Sequence, residues 1–277
     1  MPSSKVGIFF NGDPNELRGP SKVYKNLVNG LSKLGIEYSL NQGEVFNGSL
    51  NNMDHHLPKN TVIGPNTVIL PTDNPALYQK YKSFIVNSQW TYDKHSSTGL
   101  LHGKNLYIWA VGIDTDLFND SNRNPDTDCF IYFKGREDGE LEIVKQKLTS
   151  LNMTYRVITY GSYREEELID ATKKCKFCIL LTGTESQGIG YMEILSANVP
   201  CYVLNMGAWR NSSYPRVYPA SSVPYFDSNC GIIDDMNMGK FVEFLNSYDS
   251  FNPRQYIVEN HTLAISAGKY YDILSHQ

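Results

Sequence analysis

A chain of 277 residues is long for a single hydrophobic core and long enough for two compact domains. Its net charge of −4 excludes a protein whose affinity depends mainly on neutralising nucleic-acid phosphates, so we expect no nucleic-acid partner. The sequence shows no apolar run of the roughly 18–20 residues that a membrane-spanning helix needs, and its start lacks the apolar core of a signal peptide. The five cysteines are scattered, as is typical of reduced thiols, and we therefore expect a cytoplasmic protein.

The N-terminal part of the sequence predicts a strand, a polar loop and a helix. Residues 5–10 form an apolar run typical of a buried strand, and residues 11–19 are rich in Gly, Pro, Asn and Asp. Pro20 suits the first helical position, Gly35 ends the helix, and the apolar positions between them recur every three or four residues. Further strands are predicted at 37–40, 68–70, 84–87 and 106–111, a helix at 88–97, and an irregular stretch at 41–60.

A second alternation of strands and helices follows the polar segment 119–128, which we predict to be a linker. Strands that alternate with helices of this length predict a parallel, doubly wound sheet. The strands are predicted at 129–133, 155–160, 177–181 and 201–204, and the helices at 139–151, 165–173 and 187–198.

We therefore predict an α/β fold with two Rossmann-like, doubly wound domains facing across a cleft. The N-terminal domain is expected at 1–118 and the C-terminal domain at 129–255, and a helix at 256–277 is expected to pack back on the N-terminal domain. Ligands of such domains lie beyond the carboxyl ends of the strands. Five loops that each follow a strand are expected to meet there: 11–19, 70–75, 134–139, 161–165 and 183–188.

Glu185 and Glu193 lie eight residues apart, in a segment that follows an apolar strand and opens a predicted helix. Helix N-termini attract phosphate oxygens through their unpaired amides. A carboxylate accepts the paired hydroxyls of a sugar or ribose without offering a competing donor. The pattern therefore suits a nucleotide sugar. The alternative is that Glu185 is only a helix-start acid and Glu193 a solvated helix acid.

Four segments together resemble glycosyltransferases of the two-Rossmann-domain (GT-B) architecture, in particular the large retaining family usually numbered four. Gly19-Pro-Ser-Lys-Val-Tyr24 is similar to the first glycine loop of that family, and Tyr132-Phe-Lys-Gly-Arg136 to its first C-terminal strand. Residues 84–91 and 108–118 are similar to its pre-hinge strands and glycine-aspartate turn. Glu185-Ser-Gln-Gly188, followed by Glu193, resembles its paired-glutamate motif. The resemblance runs from about residue 5 to the C-terminal helix and implies retention of the anomeric configuration.

The resemblance implies a role for each matching residue. Gly19 would bring backbone close to the diphosphate, which Lys134 and Arg136 would neutralise. Glu185 would face the transferred sugar, and Glu193 would take the ribose hydroxyls. The other implied donor contacts come from two loops, Gly161, Ser162 and Tyr163 at the nucleobase and Ser186, Gln187 and Gly188 beside the sugar and phosphate. The basic pair departs from the family pattern, because family members often place the lysine several residues later.

Asp73 completes the predicted catalytic set with Arg136 and Glu185. It follows a predicted strand, where a carboxylate is placed to orient or deprotonate an acceptor hydroxyl. The alternative is turn formation, which Asp performs through contacts with its own backbone. His55 and His56 are expected to be exposed.

Two Asp-x-Asp patterns resemble the metal-binding signature of the other main glycosyltransferase fold. They lie at 114–116 and 126–128, in the predicted inter-domain turn and linker, so we assign them hinge and loop roles. We expect no metal, because Lys134 and Arg136 are expected to supply the charge that a divalent cation supplies elsewhere.

The sequence thus predicts a metal-independent glycosyltransferase that moves a sugar from a UDP- or GDP-linked donor to a hydroxyl acceptor, expected to be a glycan. The donor is a co-substrate, and no other cofactor is expected. Two alternatives stay open: a non-catalytic nucleotide-sugar-binding protein, and an enzyme that modifies sugar nucleotides. The second would need a tyrosine–lysine pair or a Gly-x-Gly-x-x-Gly loop after the first strand, and residues 10–19 contain neither.

Overall fold

A computed structural model describes residues 5–16, 19–51, 56–66 and 70–276. The chain divides into an N-terminal unit, residues 1–112 with 261–277, and a C-terminal unit, residues 113–260. The division falls earlier in the chain than the boundary predicted at 118. His55 and residues 68 and 69 of the strand predicted at 68–70 lie outside the described residues. No helix among the described residues is both long and apolar enough to span a bilayer.

The N-terminal unit contains a six-stranded parallel sheet in the order β2-β1-β3-β4-β5-β6. Its strands are β1 (Val6–Phe9), β2 (Tyr38–Leu40), β3 (Phe46–Ser49), β4 (Val62–Ile63), β5 (Ser83–Val86) and β6 (Asn105–Ile108). Its helices are α1 (Gly19–Lys33), α2 (Pro75–Lys80), α3 (Gln89–Ser96) and the C-terminal α9 (Leu263–Ser275).

Strand β3 corrects the prediction of an irregular stretch at 41–60. Its sequence, Phe-Asn-Gly-Ser, has little strand propensity, but its pairing with both β1 and β4 holds it in the sheet. A Cβ on Gly48 would lie 1.9 Å from the Tyr270 hydroxyl of α9. Gly48 is therefore required because α9, which is far away in the sequence, packs against it. Local sequence patterns do not contain this information, so they do not predict the strand.

The C-terminal unit contains a five-stranded parallel sheet in the order β13-β10-β9-β7-β8 and a separate antiparallel hairpin, β11-β12. Its strands are β7 (Thr127–Lys134), β8 (Tyr155–Thr159), β9 (Cys175–Thr182), β10 (Cys201–Leu204), β11 (Ala208–Asn211), β12 (Tyr214–Pro219) and β13 (Gly231–Asp234). Its helices are α4 (Asp138–Ser150), α5 (Glu165–Lys174), α6 (Ile189–Ser196), α7 (Phe241–Leu245) and α8 (Pro253–Asn260), with a 3-10 turn at Tyr248–Ser250.

The core of the C-terminal unit lies on both faces of this sheet, because successive side chains of a strand point to opposite faces. One face packs against α5, α6 and α8 and includes Phe130, Tyr132, Cys178, Leu180 and Val203. The other packs against α4 and α7 and includes Cys129, Ile131, Phe133, Ile179 and Leu181. All five cysteines of the chain are buried free thiols, and burial raises the pKa of Cys175 to about 11.

The strand order of each sheet reverses direction at one place. In the C-terminal unit the chain runs from β7 outward to β8, and then crosses back to β9 and continues to β10 and β13. This is the doubly wound order 2-1-3-4-5, whose ligands bind beyond the carboxyl ends of the two strands at the reversal. In the C-terminal unit these strands are β7 and β9.

Candidate functional site

The carboxyl ends of β7 and β9 open onto a cavity of about 240 Å³. Three segments of the C-terminal unit form its wall: the end of β7, the loop after β9, and the segment that follows β10 into the hairpin. The lining residues are Lys134, Gly135, Gly183, Thr184, Glu185, Met206, Ala208, Trp209 and Arg210. The cavity therefore lies at the reversal of strand order, where a doubly wound sheet binds its ligands.

Lys134 and Glu185 meet in this cavity as an ion pair. The Lys134 Nζ lies 2.7 Å from one Glu185 carboxylate oxygen and 2.9 Å from the other, and 4.3 Å from the centre of the Tyr160 ring. Burial raises the pKa of Glu185, and the charge and hydrogen bond of Lys134 oppose that shift. The pair places a cation and an anion where a diphosphate and a sugar hydroxyl would each find a partner.

Glycines let the two strand-end loops approach each other closely. The Gly183 amide donates to the Lys134 carbonyl oxygen at 2.7 Å, and a Cβ on Gly183 would lie 2.8 Å from the Gly135 carbonyl oxygen. Gly135 itself has a φ of +61°, which L side chains rarely adopt. Gly135 and Gly183 therefore contribute backbone to the cavity wall, which leaves peptide groups next to a ligand there.

Helix α6 carries the second glutamate of the pair. A Cβ on Gly190 would lie 2.3 Å from the Tyr132 hydroxyl, so this glycine allows α6 to pack directly on β7. Glu193 is 2% exposed and Glu185 is 8% exposed. The alternative of a solvated helix acid is therefore excluded for Glu193, because burying a carboxylate is costly without compensating contacts.

The charges of both glutamates act on the Tyr132 hydroxyl. Burial raises the pKa of Tyr132, and Tyr163, Glu185 and Glu193 raise it further. The Tyr132 and Tyr163 hydroxyls lie 3.2 Å apart. The structure thus groups Tyr163, predicted at the nucleobase, with the two acids predicted at the sugar and the ribose.

The remaining residues predicted to bind the donor lie in the same unit. Gly161 has a φ of +87° in the turn after β8, and the exposed Ser162 closes that turn by donating its amide to Thr159. In the loop before α6, Ser186 is exposed, whereas Gln187 is 7% exposed. Gly188, with a φ of +79°, is the N-cap residue of α6. Their contacts with a donor stay predictions.

Arg136 has partners other than the predicted phosphate. Its Nε donates to Glu140 at 2.7 Å, a second nitrogen also bonds the Glu140 carboxylate, and Nη1 donates to the carbonyl oxygens of Thr182 (3.2 Å) and Leu204 (3.0 Å). The side chain is 4% exposed. The guanidinium therefore ties the carboxyl ends of β9 and β10 to α4 and does not line the cavity.

The predicted site residues of the N-terminal unit are Gly19 and Asp73. Gly19 begins α1 with a φ of +46° and has open space where a Cβ would be. Asp73 accepts a hydrogen bond from the Leu70 amide and donates its own amide to the Leu70 carbonyl, both at 2.9 Å. Asp73 thus forms the turn that was its alternative role, and its action on an acceptor stays a prediction. His56 is exposed.

The Asp-x-Asp residues make local structural contacts. Asp114 accepts hydrogen bonds from the amides of Asp116 and Leu117, each at 3.1 Å. Asp128 accepts from Lys176 and Thr154, at 2.7 and 2.9 Å. Within residues 5–16, 19–51, 56–66 and 70–276, no group of three or more His, Cys, Asp or Glu side chains is arranged to hold a metal ion.

The hairpin that follows β10 is the part of the site that the sequence reasoning missed. It brings Trp209 and Arg210 to the cavity wall. The Trp209 ring centre lies 5.6 Å from that of Tyr214 and 5.9 Å from that of Tyr218, which holds the two strands together. The available signal was a pair of aromatic-bearing segments on either side of Asn211-Ser-Ser213, a combination typical of a hairpin.

No protein-family model and no curated protein matches this chain. Solved structures do match it along almost its whole length. A sucrose-phosphate synthase from Thermosynechococcus elongatus aligns with a TM-score of 0.60 and 10% identity, covering 99% of each chain. The apo form of WaaB, a lipopolysaccharide outer core galactosyltransferase, aligns with a TM-score of 0.55 and 11% identity, covering 98% of this chain and 99% of its own. The chain has the GT-B fold of these glycosyltransferases.

Proposed function

We propose that this protein is a glycosyltransferase that binds a nucleotide-diphosphate sugar in the cavity beyond β7 and β9 and transfers the sugar to a hydroxyl acceptor. The observation that carries the proposal is the cavity itself. It lies at the strand-order reversal of a GT-B fold, and its wall contains the buried Glu185 paired with Lys134. An ion pair with a buried carboxylate at a ligand-binding edge is costly to maintain for stability alone, which favours a functional role.

The chemistry follows from these charges. Transfer breaks the bond between the anomeric carbon and the diphosphate, and negative charge develops on the leaving oxygen. Lys134 would stabilise that charge, together with the backbone amides at the start of α6. Glu185 would accept a sugar hydroxyl, and Glu193 would accept the ribose hydroxyls. We expect the acceptor to be a glycan and no metal to be required.

The first experiment is a thermal-shift screen with UDP, GDP and their sugars, followed by calorimetry on the best ligand. Labelled UDP- and GDP-sugars without acceptor then test for slow donor hydrolysis. Hydrolysis indicates a transferase, whereas binding without hydrolysis favours the non-catalytic alternative, and an altered but intact sugar nucleotide favours the modifying enzyme. An equal rate in EDTA is expected, and loss of hydrolysis in EDTA would contradict metal independence.

Glu193→Gln tests the ribose contact. We expect about 10- to 100-fold weaker nucleotide binding, because a hydrogen bond to a charged group is worth about 1.5–3 kcal/mol. Glu243→Gln is the matched control, since Glu243 is an exposed helical glutamate on α7 of the same unit. Equal affinity of wild type and Glu193→Gln by calorimetry would remove the ribose role.

A further inference from the structure

The charges around the cavity leave a donor diphosphate with too few cations. Of the two basic residues near the end of β7, Lys134 is paired with Glu185 at 2.7 Å. Arg136 is almost completely buried and bound to Glu140 and two carbonyl oxygens. A multiply charged diphosphate therefore needs a further positive group, because a leaving group of that charge is stabilised by cations placed where the charge develops.

Arg210 of the hairpin is positioned to supply that charge. It lines the same cavity as Lys134 and Glu185, and its side chain is exposed. Among the residues that the structure describes, no carboxylate forms an ion pair with it. A planar guanidinium matches phosphate oxygens through paired N–H donors, which makes an unpaired arginine on a cavity wall suited to a phosphate.

The geometry of β11 explains how Arg210 reaches the cavity. Neighbouring residues of a regular strand point to opposite faces, yet Trp209 and Arg210 both line the cavity. The register of the hairpin shifts between Trp209, which pairs with Tyr218, and Asn211, which pairs with Tyr214. Such an irregularity re-aims a side chain and is common beside functional sites. The hairpin thus places two consecutive residues on the wall of one cavity.

We propose that Arg210 binds the diphosphate of the donor, in the role that the sequence predicted for Arg136. The inference rests on the function proposed above and names a residue of that same site. Trp209 beside it offers an apolar ring face against which a sugar ring would pack. Loss of Arg210 should therefore weaken the binding of diphosphate-bearing ligands and leave the binding of the nucleoside unchanged.

The test compares wild type with Arg210→Ala, Arg210→Lys and Arg216→Ala. Arg216 is the matched control, since it is an exposed arginine of the same hairpin, lies 5.1 Å over the Tyr218 ring and is not part of the cavity wall. Calorimetry is run with UDP, GDP, uridine and guanosine. We expect Arg210→Ala to weaken diphosphate binding about 10- to 100-fold, Arg210→Lys to recover part of it, and Arg216→Ala to match wild type.

Three outcomes would overturn this assignment while leaving the proposed function in place. Wild-type diphosphate affinity in Arg210→Ala excludes the contact, and an equal loss in Arg216→Ala reduces it to a general effect of hairpin charge. A loss that is the same for nucleoside and nucleoside diphosphate assigns Arg210 to another part of the ligand. If wild type binds neither UDP nor GDP, the proposed function fails as well, so the two failures are distinguishable. Thermal unfolding checks that each variant is folded.

Discussion

Replacing Arg136 separates the role that the sequence predicted from the contacts that the structure shows. Arg136→Ala removes hydrogen bonds to the carbonyl oxygens of Thr182 and Leu204 and to the Glu140 carboxylate. The guanidinium is 4% exposed and Glu140 is 27% exposed, so Glu140 regains water when the arginine is lost and its share is discounted. The two buried carbonyl oxygens lose a charged donor worth about 1.5 kcal/mol each. We expect the unfolding free energy to fall by about 2–4 kcal/mol.

Urea unfolding measures this loss, and calorimetry on the folded variant measures nucleotide affinity. Arg156→Ala is the matched control, because Arg156 pairs with Asp170 on the surface at 2.7 Å, with the two side chains 37% and 44% exposed. An exposed pair contributes about 0–1 kcal/mol, so the control should lose little. If Arg136→Ala is as stable as wild type but binds the diphosphate at least 10-fold more weakly, the structural role of Arg136 is refuted. Arg136 would then have the phosphate role that the sequence predicted.

The stability of the protein at acid pH is a second test of the contact between Arg136 and Glu140. Hydrogen bonds from Arg136 are the largest cause that lowers the pKa of Glu140. A depressed carboxyl pKa contributes stability above the ordinary value of about 4.3, and that stability is lost as the pH falls through the folded-state pKa. The difference between wild type and Arg136→Ala should therefore shrink below pH ~4. A difference that stays constant from pH 7 to pH 3 would show that the ion pair adds nothing.

Two further substitutions test the core of the site. Burial raises the pKa of Glu185, so its charged form costs stability as the pH rises through the folded-state pKa. Wild type should therefore lose stability relative to Glu185→Gln as the pH rises above the ordinary glutamate pKa of about 4.3, and parallel urea profiles would contradict this. Gly190→Ala places a Cβ 2.3 Å from the Tyr132 hydroxyl and should cost about 1–3 kcal/mol. Adding Tyr132→Phe should recover part of that cost, and equal losses in the single and double variants would place the strain elsewhere.

The strands and helices between residues 127 and 204 could be predicted from the sequence to within two residues. Strands β7, β9 and β10 are largely apolar runs buried on both faces, and helices α4 and α5 each have an exposed polar face, so local pattern and tertiary environment agree. Strand β3 and the hairpin could not be predicted in this way. The Gly48 of β3 is required by Tyr270 of α9, and the hairpin is a short two-stranded element with an irregular register.

The contacts of single side chains in the candidate site could also be predicted only where they depend on local sequence. The spacing of Glu185 and Glu193 and the position of Lys134 at a strand end are local features, and the structure buries both acids and brings Lys134 to Glu185. Arg136 lies only two residues beyond that strand end in the sequence, but its long side chain donates to the carbonyl oxygens of β9 and β10. A cation's partners depend on which unsatisfied acceptors surround it, and these belong to segments far apart in sequence.

If Arg210 binds the diphosphate as proposed, a cation of the site comes from a segment with no motif of its own. Arg210 lies more than seventy residues after Lys134, in a stretch that composition and periodicity leave unassigned. Its proposed role follows from the contacts of Arg136, the ion pair of Lys134 and the cavity wall taken together. We therefore propose that a fold common to many activities places the ligand, and that the hairpin added after β10 determines which charges the ligand meets. Exchanging the hairpin should change donor preference while the parallel sheet beneath it stays the same.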